Sequence, residues 1–381
     1  MAWWLHWFDL VDLAVYRAGA SAFLHGRDVY SARPKVLPLP FTYPPFAAMA
    51  FAPLSVLPDV AARIVMSLLS GAALIYAAVA TLRLAAPRWP RRSQWTMALF
   101  VAAATPLVEP FRDTFRLGQV NLVLMALVLA DLVAITARPA GDARRISRLP
   151  RGVLIGVATA VKLTPGIFIL YLLVIRRTKE ATTAALTAAG ATALAWVAMP
   201  SESAHYWGHL VLDDRRIGSA GNVWNQSIRG ALARITGSPD KAHVLWLLLA
   251  LVSLVAGLAL AARLHAGGEP LLGIGVAAVT GLLVSPISWN HHWVWALPLG
   301  VGLWQRALAT RSGRAPSHWW LAAGWTATFC LASLSWWHFA TQDNYRLGAI
   351  DTIAADGYVL AAIVALALLA GTTGRVPPAA K

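Results

Sequence analysis

The sequence predicts an all-α protein, a polytopic membrane helix bundle with about 9–11 transmembrane helices, one re-entrant segment and several outer loops. Two observations predict this fold class. The chain of 381 residues is 58% hydrophobic and only 13% charged, which is typical of proteins that cross a membrane repeatedly. Its formal net charge of +15 comes from basic residues clustered between apolar stretches. The positive-inside rule explains that distribution more simply than a nucleic-acid partner does.

The chain has a single cysteine, Cys330, which lies in an apolar stretch. A lone cysteine excludes a disulfide framework and a cysteine-based metal site. No other pattern of metal ligands is evident, so the sequence predicts neither a metal nor another cofactor. Tryptophan is abundant at 18 residues, and many lie at the ends of apolar stretches, where an indole buries its ring and keeps its N–H in water.

Polar residues are concentrated near the start of the chain. Residues 1–8 are apolar but too short to cross a bilayer, so we expect an interfacial segment or the end of an earlier span. The stretch 9–45 follows, with Asp9, Asp12, Asp28 and a run of prolines. Its backbone would lack partners in lipid and must lie at or outside the surface. Asp12 begins a predicted surface helix, which it could cap, or it could act as a general base. Asp28 is typical of a turn.

Apolar stretches alternate with basic and polar loops along the rest of the chain. The predicted membrane helices cover residues 60–86, 95–108, 122–137, 181–199, 243–263, 271–284, 294–309, 319–337 and 358–370. Basic loops flank 152–175 on both sides, which a single crossing cannot satisfy. We therefore expect 152–175 to re-enter the membrane, or to form two short helices broken around Lys162 and Pro165, since proline disfavours helix at and before its position.

With that re-entrant segment, all the polar loops fall on one outer side of the membrane. These loops are 9–45, 109–121, 200–240 and 285–293. Several arginines lie there against the positive-inside bias, and they could bind an anionic lipid headgroup or pair with nearby aspartates. They are Arg112, Arg116, Arg215, Arg216 and Arg229. The chain is expected to form one integral membrane domain, 1–381.

Three side chains suit the recognition of a phosphate. Lys162 is central in an apolar segment, where it could snorkel or hold a phosphate as a point charge. His291 and His292 follow Trp289 in a turn between two apolar stretches. A pair of histidines without further ligands is poor support for zinc, whereas protonated imidazoles bind phosphate. The alternative is a polar cap on a tight turn.

Five motifs in order carry a resemblance to a known family. They are DLAVY at 12–16, FTYPPF at 41–46, GQVN at 118–121, KLTP at 162–165 and SPISWNHH at 285–292. Together they resemble glycosyltransferase family 87, over nearly the whole chain. This is a GT-C family of actinobacterial polyprenol-phosphate-mannose-dependent α-mannosyltransferases. The similarity is greatest to members that extend phosphatidylinositol mannosides by α-1,2 linkages.

The resemblance implies a reaction and a set of residues. The donor would be polyprenyl-phosphate-mannose, the acceptor a mannosylated glycolipid in the membrane, and transfer would invert the anomeric centre. Asp12 matches the family's catalytic aspartate and would be the general base. The candidates for stabilising the leaving phosphate are Lys162, His292 and an outer arginine. The expected substrate-binding side chains are Tyr16, Tyr43, Arg112, Gln119, Asn121, Lys162, Trp289 and His291. The active site would lie on the extracytoplasmic side of the plasma membrane.

The sequence departs from the family in one place. Family members have a membrane span before the first outer loop, where this sequence has only residues 1–11. We expect either a span that precedes this sequence or a different anchor for Asp12.

Other functions stay open at this stage. The same residues could belong to a lipid-linked sugar transporter or flippase, which needs no surface base. They could belong to an arabinosyl- or glucosyltransferase on the same scaffold, or to a structural membrane protein in which the polar loops matter only for folding.

Overall fold

The structure, a computed structural model, describes residues 10–35, 37–136, 149–309, 316–331 and 347–372. Within these ranges the secondary structure is helical, and extended backbone pairs at one isolated bridge, between Asn225 and Trp289. The all-α prediction is confirmed. The predictions for residues 1–9, the basic residues of 138–148 and 311–314, and the stretch 332–337 lie outside the described residues.

Eighteen α-helices are described, and several of them continue from one into the next through a turn of 3₁₀ or π-helix. Their bounds are α1 (Val11–Leu24), α2 (Pro45–Ala50), α3 (Ala52–Ser55), α4 (Asp59–Ala85), α5 (Arg91–Ala104), α6 (Glu109–Leu117), α7 (Asn121–Thr136), α8 (Val153–Val161), α9 (Ile167–Val174), α10 (Thr178–Ala198), α11 (Pro200–His205), α12 (Ile228–Thr236), α13 (His243–Ala266), α14 (Pro270–Val284), α15 (Ala296–Ala309), α16 (Pro316–Leu331), α17 (Ala349–Ala355) and α18 (Gly357–Thr372).

The predicted apolar stretches that the structure describes are helical, and the chain is a multi-pass membrane protein. Among the helices that the structure describes, three, α4, α10 and α13, are long and apolar enough to cross a membrane by themselves, a crossing taking about 20 residues. A further apolar pair, α6 and α7, is bent by 117°. Other apolar helices, such as α14 and α18, have 15 and 16 residues. The count of about 9–11 transmembrane helices therefore stays a prediction.

The described chain divides into two compact units. The first contains residues 10–77, 111–169 and 178–218, and the second contains 78–110, 170–177 and the described residues from 219 onward. Each unit has its own close helix packing.

In the first unit, α8 packs tightly on α10 through glycines spaced four residues apart. A Cβ on Gly152 would lie 2.3 Å from the carbonyl oxygen of Glu180, and a Cβ on Gly156 would lie 2.5 Å from that of Ala184. Small residues at this spacing let membrane helices approach closely, so that packing and backbone contacts hold them together. This approach fixes α8, whose far end leads to Lys162.

The segment 152–175 is broken where the sequence predicts. Helix α8 ends at Val161, Lys162 has an extended backbone with φ −149° and ψ 129°, and a 3₁₀ turn at Thr164–Gly166 precedes α9. The buried Asp131 on α7 accepts a hydrogen bond from the backbone N–H of Ile155 at 3.0 Å. Asp131 thereby caps the first turn of α8, which the apolar sequence of that helix cannot do for itself.

In the second unit, α14 lies between α13 and α15. Gly257 of α13 faces Thr280 of α14, where a Cβ would lie 2.1 Å from the threonine Oγ1. Gly275 of α14 faces Leu299 of α15, where a Cβ would lie 2.8 Å from the leucine Cα. Both faces of α14 are therefore covered by neighbouring helices within this unit.

Candidate active site

Asp12 lies in the first turn of helix α1, after the residue at the N-cap position. The residue before the helix is Leu10, in the left-handed region with φ 41°, and no side chain among the described residues caps the helix. The capping role considered for Asp12 is therefore wrong. Asp28, in contrast, accepts a hydrogen bond from the backbone N–H of Tyr30 at 2.9 Å, which confirms it as a turn residue.

Asp12 belongs to a hydrogen-bonded chain of four side chains. Gln119 Nε2 donates to Asp12 Oδ2 at 2.7 Å. The hydroxyl of Tyr16 donates to Gln119 Oε1 at 2.8 Å and lies 2.9 Å from the hydroxyl of Tyr43. The Tyr43 hydroxyl also reaches Gln119 Oε1, at 3.4 Å. Four residues predicted for the site are thus in direct contact.

Lys162 joins this group through its ammonium. Lys162 Nζ donates to Asn121 Oδ1 at 2.8 Å and lies 5.4 Å from the centre of the Tyr43 ring. The side chain is buried, with 9% of its residue surface exposed. The snorkelling alternative is therefore wrong for this lysine, because its charge is held inside the protein by an amide oxygen and an aromatic face.

The carboxylate of Asp12 lies in an environment that disfavours its negative charge. Burial raises the pKa of Asp12 to about 6, although the hydrogen bond from Gln119 and the positive charges of Lys162 and Arg116 pull it down. Burial also raises the pKa of Tyr16 and Tyr43, so both hydroxyls keep their protons. A carboxylate with a pKa near neutrality can exchange a proton with a substrate hydroxyl at physiological pH.

The bend between α6 and α7 brings Gln119 to Asp12. Gly118 ends α6 with φ 69°, its N–H donating to Phe115 at 3.2 Å, and the N–H of Gln119 donates to the carbonyl of Thr114 at 2.9 Å. These two bonds form a Schellman motif, in which a left-handed glycine ends a helix. The turn therefore fixes the backbone of Gln119 before its side chain makes any contact.

Two side chains that are not part of the Asp12 hydrogen-bonded chain hold the backbone around Tyr43 in place. The guanidinium of Arg216 donates to the carbonyl oxygens of Phe41 and Thr42 at 3.2 and 3.0 Å. The hydroxyl of Tyr30 donates to the carbonyl of Tyr43 at 3.1 Å. The headgroup role considered for Arg216 is unsupported, because this arginine is engaged with backbone carbonyls of its own chain.

Two other arginines that the sequence predicts on the outer side lie on α6. Arg116 forms an ion pair with Asp113 at 3.3 Å, which matches the alternative in which outer arginines pair with nearby aspartates. Arg112 is half-buried, and its role in substrate binding stays a prediction.

The histidine turn lies in the second unit. Trp289, at the isolated bridge with Asn225, precedes a 3₁₀ helix from Asn290 to Trp295. The rings of His291 and His292 meet edge to face, with centroids 4.8 Å apart. His291 is buried, while Trp289 and His292 are half-buried. Of the two histidines, His292 is thus the more accessible.

A buried carboxylate holds this turn, and it was not among the predicted site residues. Glu109, 2% exposed, accepts a hydrogen bond from the Tyr358 hydroxyl at 2.5 Å and another from the side-chain amide of Asn290. Asn290 directly precedes the histidine pair. The sequence carries little signal for this contact, because Tyr358 stands alone at the start of an apolar stretch.

The backbone on either side of the bridge between Asn225 and Trp289 is held by a second polar group that sequence reasoning also missed. The Asn225 Oδ1 accepts from the backbone N–H of Ser288 at 2.9 Å, and the N–H of Gln226 donates to the carbonyl of Ser288 at 2.7 Å. Arg234, fully buried, forms an ion pair with Asp356. The cluster of Asn225, Gln226 and Ser227 before α12 is the one local signal that could have indicated this support.

Comparison with known proteins gives a consistent result. The sequence model for Glycosyltransferase family 87 matches residues 41–286. A polyprenol-phosphate-mannose-dependent alpha-(1-2)-phosphatidylinositol mannoside mannosyltransferase of Mycobacterium tuberculosis (strain ATCC 25618 / H37Rv) is 38% identical over 315 residues, 78% of this chain and 71% of that protein. The protein of the same name from Mycolicibacterium smegmatis (strain ATCC 700084 / mc(2)155) is 39% identical, covering 76% of this chain and 68% of that one.

A related enzyme and one solved structure also match. A polyprenol-phosphate-mannose-dependent alpha-(1-2)-phosphatidylinositol pentamannoside mannosyltransferase of Mycolicibacterium smegmatis is 34% identical over 95% of this chain and 85% of its own length. The crystal structure of ArnT from Cupriavidus metallidurans bound to undecaprenyl phosphate aligns with a TM-score of 0.44 and 16% identity, over 97% of this chain and 76% of that one. That structural likeness is too low for a residue-level comparison.

Proposed function

Because this chain belongs to glycosyltransferase family 87, we propose that it transfers mannose from polyprenyl-phosphate-mannose to a mannosylated phosphatidylinositol lipid, with inversion and an α-1,2 linkage. The names of its relatives support this donor, acceptor and linkage. The observation that carries the proposal is the environment of the Asp12 carboxylate. This side chain is partly accessible and accepts a hydrogen bond from Gln119, and burial raises its pKa to about 6.

Asp12 is the general base of this reaction. The acceptor hydroxyl oxygen attacks the anomeric carbon of mannose and loses its proton to the Asp12 carboxylate. The bond between that carbon and the phosphate oxygen breaks, and the polyprenyl phosphate keeps the electron pair. A base in this position contributes about 10²–10⁴-fold to the rate.

The leaving phosphate gains negative charge, so cationic groups stabilise the transition state. His292 is the proposed donor to this phosphate, supported by its partial exposure in a turn of aromatic residues. Lys162 supplies a second positive charge, with Asn121 holding its ammonium. Arg112, Trp289 and His291 complete the proposed substrate-binding set.

We also propose that the active site faces the extracytoplasmic side of the plasma membrane. The alternation of basic and polar loops supports this placement, with residues 9–45, 109–121, 200–240 and 285–293 outside. The test is a cysteine placed at Ser238 after Cys330 has been replaced, labelled by a membrane-impermeant maleimide in whole cells. Labelling only after permeabilisation would overturn the topology.

The reaction itself is tested on purified protein with radiolabelled polyprenyl-phosphate sugars and phosphatidylinositol mannoside acceptors. We expect mannose, and neither arabinose nor glucose, in a product whose new bond an α-1,2-mannosidase cleaves. The variant Asp12→Asn should lose turnover by about 10²-fold or more. Asp28→Asn, which changes a turn aspartate of the same segment 9–45, is the matched control and should keep most of the wild-type turnover.

Two results would contradict the proposal. Undiminished turnover in Asp12→Asn would remove this carboxylate from the mechanism. Transport of lipid-linked sugar that persists in Asp12→Asn, with no transfer by the wild type, would identify a flippase instead.

A further inference from the structure

The amide of Gln119 is bound at both of its ends, and this decides how it faces Asp12. Its Nε2 lies 2.7 Å from Asp12 Oδ2, while its Oε1 lies 2.8 Å from the Tyr16 hydroxyl and 3.4 Å from the Tyr43 hydroxyl. Gln119 is buried, with 3% of its surface exposed. Water therefore competes little for either end of the amide.

The opposite orientation of the amide is unfavourable at Asp12. Turned over, Oε1 would face an ionised carboxylate oxygen, and neither of these oxygens carries a proton to share. The hydroxyls of Tyr16 and Tyr43 keep their protons, because burial raises the pKa of both groups, and they donate to Oε1 in the observed orientation. Since leaving buried polar groups unpaired is costly, Asp12 selects this orientation and the two tyrosines hold the oxygen end of the amide in place.

This orientation makes the two oxygens of Asp12 unequal. Oδ2 accepts from an N–H group that can only donate, whereas Oδ1 accepts no hydrogen bond from the residues that the structure describes. A proton on Oδ2 would displace the Gln119 donor, while a proton on Oδ1 leaves that bond intact.

We propose that Gln119, held by Tyr16 and Tyr43, is a positioning residue that presents Oδ1 of Asp12 as the atom that takes the acceptor's proton. The inference rests on the proposed function, in which Asp12 is the base. It reassigns Gln119, Tyr16 and Tyr43 from sugar binding to the support of that base. Their effect on the reaction passes through the carboxylate.

The test measures the protonation of Asp12 directly, by infrared titration of its carboxylic-acid C=O band in purified protein. Subtracting the spectrum of Asp12→Asn isolates that band. Gln119→Leu removes one hydrogen bond to the ionised carboxylate, so the titration should move upward by about one to two pH units. Gln119→Glu, which keeps the size of the side chain, places a second carboxyl beside the first and should move it further.

Kinetics separates positioning from sugar binding. In Gln119→Leu the acid limb of the kcat profile should move upward with the infrared titration, and kcat should recover at high pH. Tyr16→Phe should produce a smaller shift in the same direction, because Oε1 keeps the Tyr43 hydroxyl. A sugar-binding role predicts a raised KM at every pH and an unmoved acid limb.

The matched control is Gln94→Leu, which removes another buried glutamine amide, one bound to the carbonyl of Ala86 at 3.0 Å. This variant should leave the pH at which Asp12 titrates unchanged. An Asp12 titration that is unchanged in both Gln119→Leu and Gln119→Glu would overturn the inference, whatever the turnover. Full turnover in Asp12→Asn would instead overturn the proposed function, so the two failures are distinguishable.

Discussion

Replacement of Gly118 by alanine tests how closely the bend between α6 and α7 must approach α1. Gly118 has φ 69° and directly precedes Gln119. A Cβ at this position would lie 2.9 Å from Cβ and Cδ2 of Leu10 and 3.0 Å from Cβ of Leu13. The Cδ2 atom can rotate away. The two Cβ atoms can yield only if the backbone on either side of Asp12 moves.

The expected decrease in the free energy of unfolding of Gly118→Ala is the sum of two separate contributions. An L-residue in the left-handed region costs roughly 1–2 kcal/mol, and forcing an extra carbon into a packed contact costs about 1–3 kcal/mol. Gly26 provides the matched control, because it has φ 62° and a Cβ there would meet nothing within 4 Å. Gly26→Ala should therefore cost only the first amount, while Gly118→Ala should cost roughly 2–5 kcal/mol, the sum of both terms.

Both variants are compared in the same detergent by thermal unfolding, followed by tryptophan fluorescence, and by turnover per folded molecule. Gly118→Ala should unfold at a lower temperature than Gly26→Ala. It should also lose turnover, because the displaced bend separates Gln119 from Asp12. Equal midpoints and equal turnover in the two variants would show that the close approach of Gly118 to α1 does not hold in solution.

Three further predictions concern the proposed base, the histidine turn and the carboxylate that holds this turn. Because the proposed base Asp12 must be ionised to take a proton and burial raises its pKa to about 6, turnover should fall as pH drops through 6, about tenfold per unit below it; a pH–rate profile without this limb would contradict the assignment. His292→Ala should lower kcat by on the order of 10²-fold while donor affinity falls less, and an unchanged turnover per folded molecule would refute its role at the leaving phosphate. Glu109→Leu should lower the unfolding midpoint, since it removes two buried hydrogen bonds to a carboxylate, from the Tyr358 hydroxyl and the Asn290 amide, each worth roughly 1.5–3 kcal/mol; an unchanged midpoint would show that Glu109 does not hold the histidine turn.

Local features of the sequence were sufficient to predict the fold class and most helix positions. The predicted span 60–86 is α4, Asp59–Ala85, and the predicted span 243–263 lies within α13. Apolar stretches of this length become helical in lipid because their backbone has no other hydrogen-bond partners. The break at Lys162 was equally local, because it depends on Pro165 three residues later.

The contacts within the site could not be predicted from the sequence, because they depend on the tertiary structure. The motifs indicated Asp12 and Gln119 separately, but these residues are 107 positions apart and their hydrogen bond depends on the bend at Gly118. Sequence reasoning left Asp12 with two roles, helix cap or base, and the left-handed Leu10 before α1 decided against the cap.

The same holds for the buried polar groups of the second unit. Glu109 and Tyr358 are 249 positions apart, and neither belongs to a recognisable motif with the other. Composition and periodicity indicate, for each segment separately, whether it faces lipid or water. Which donor finds which acceptor depends on how distant helices pack, and a buried polar group has a low energy only when that packing brings its partner within hydrogen-bond distance.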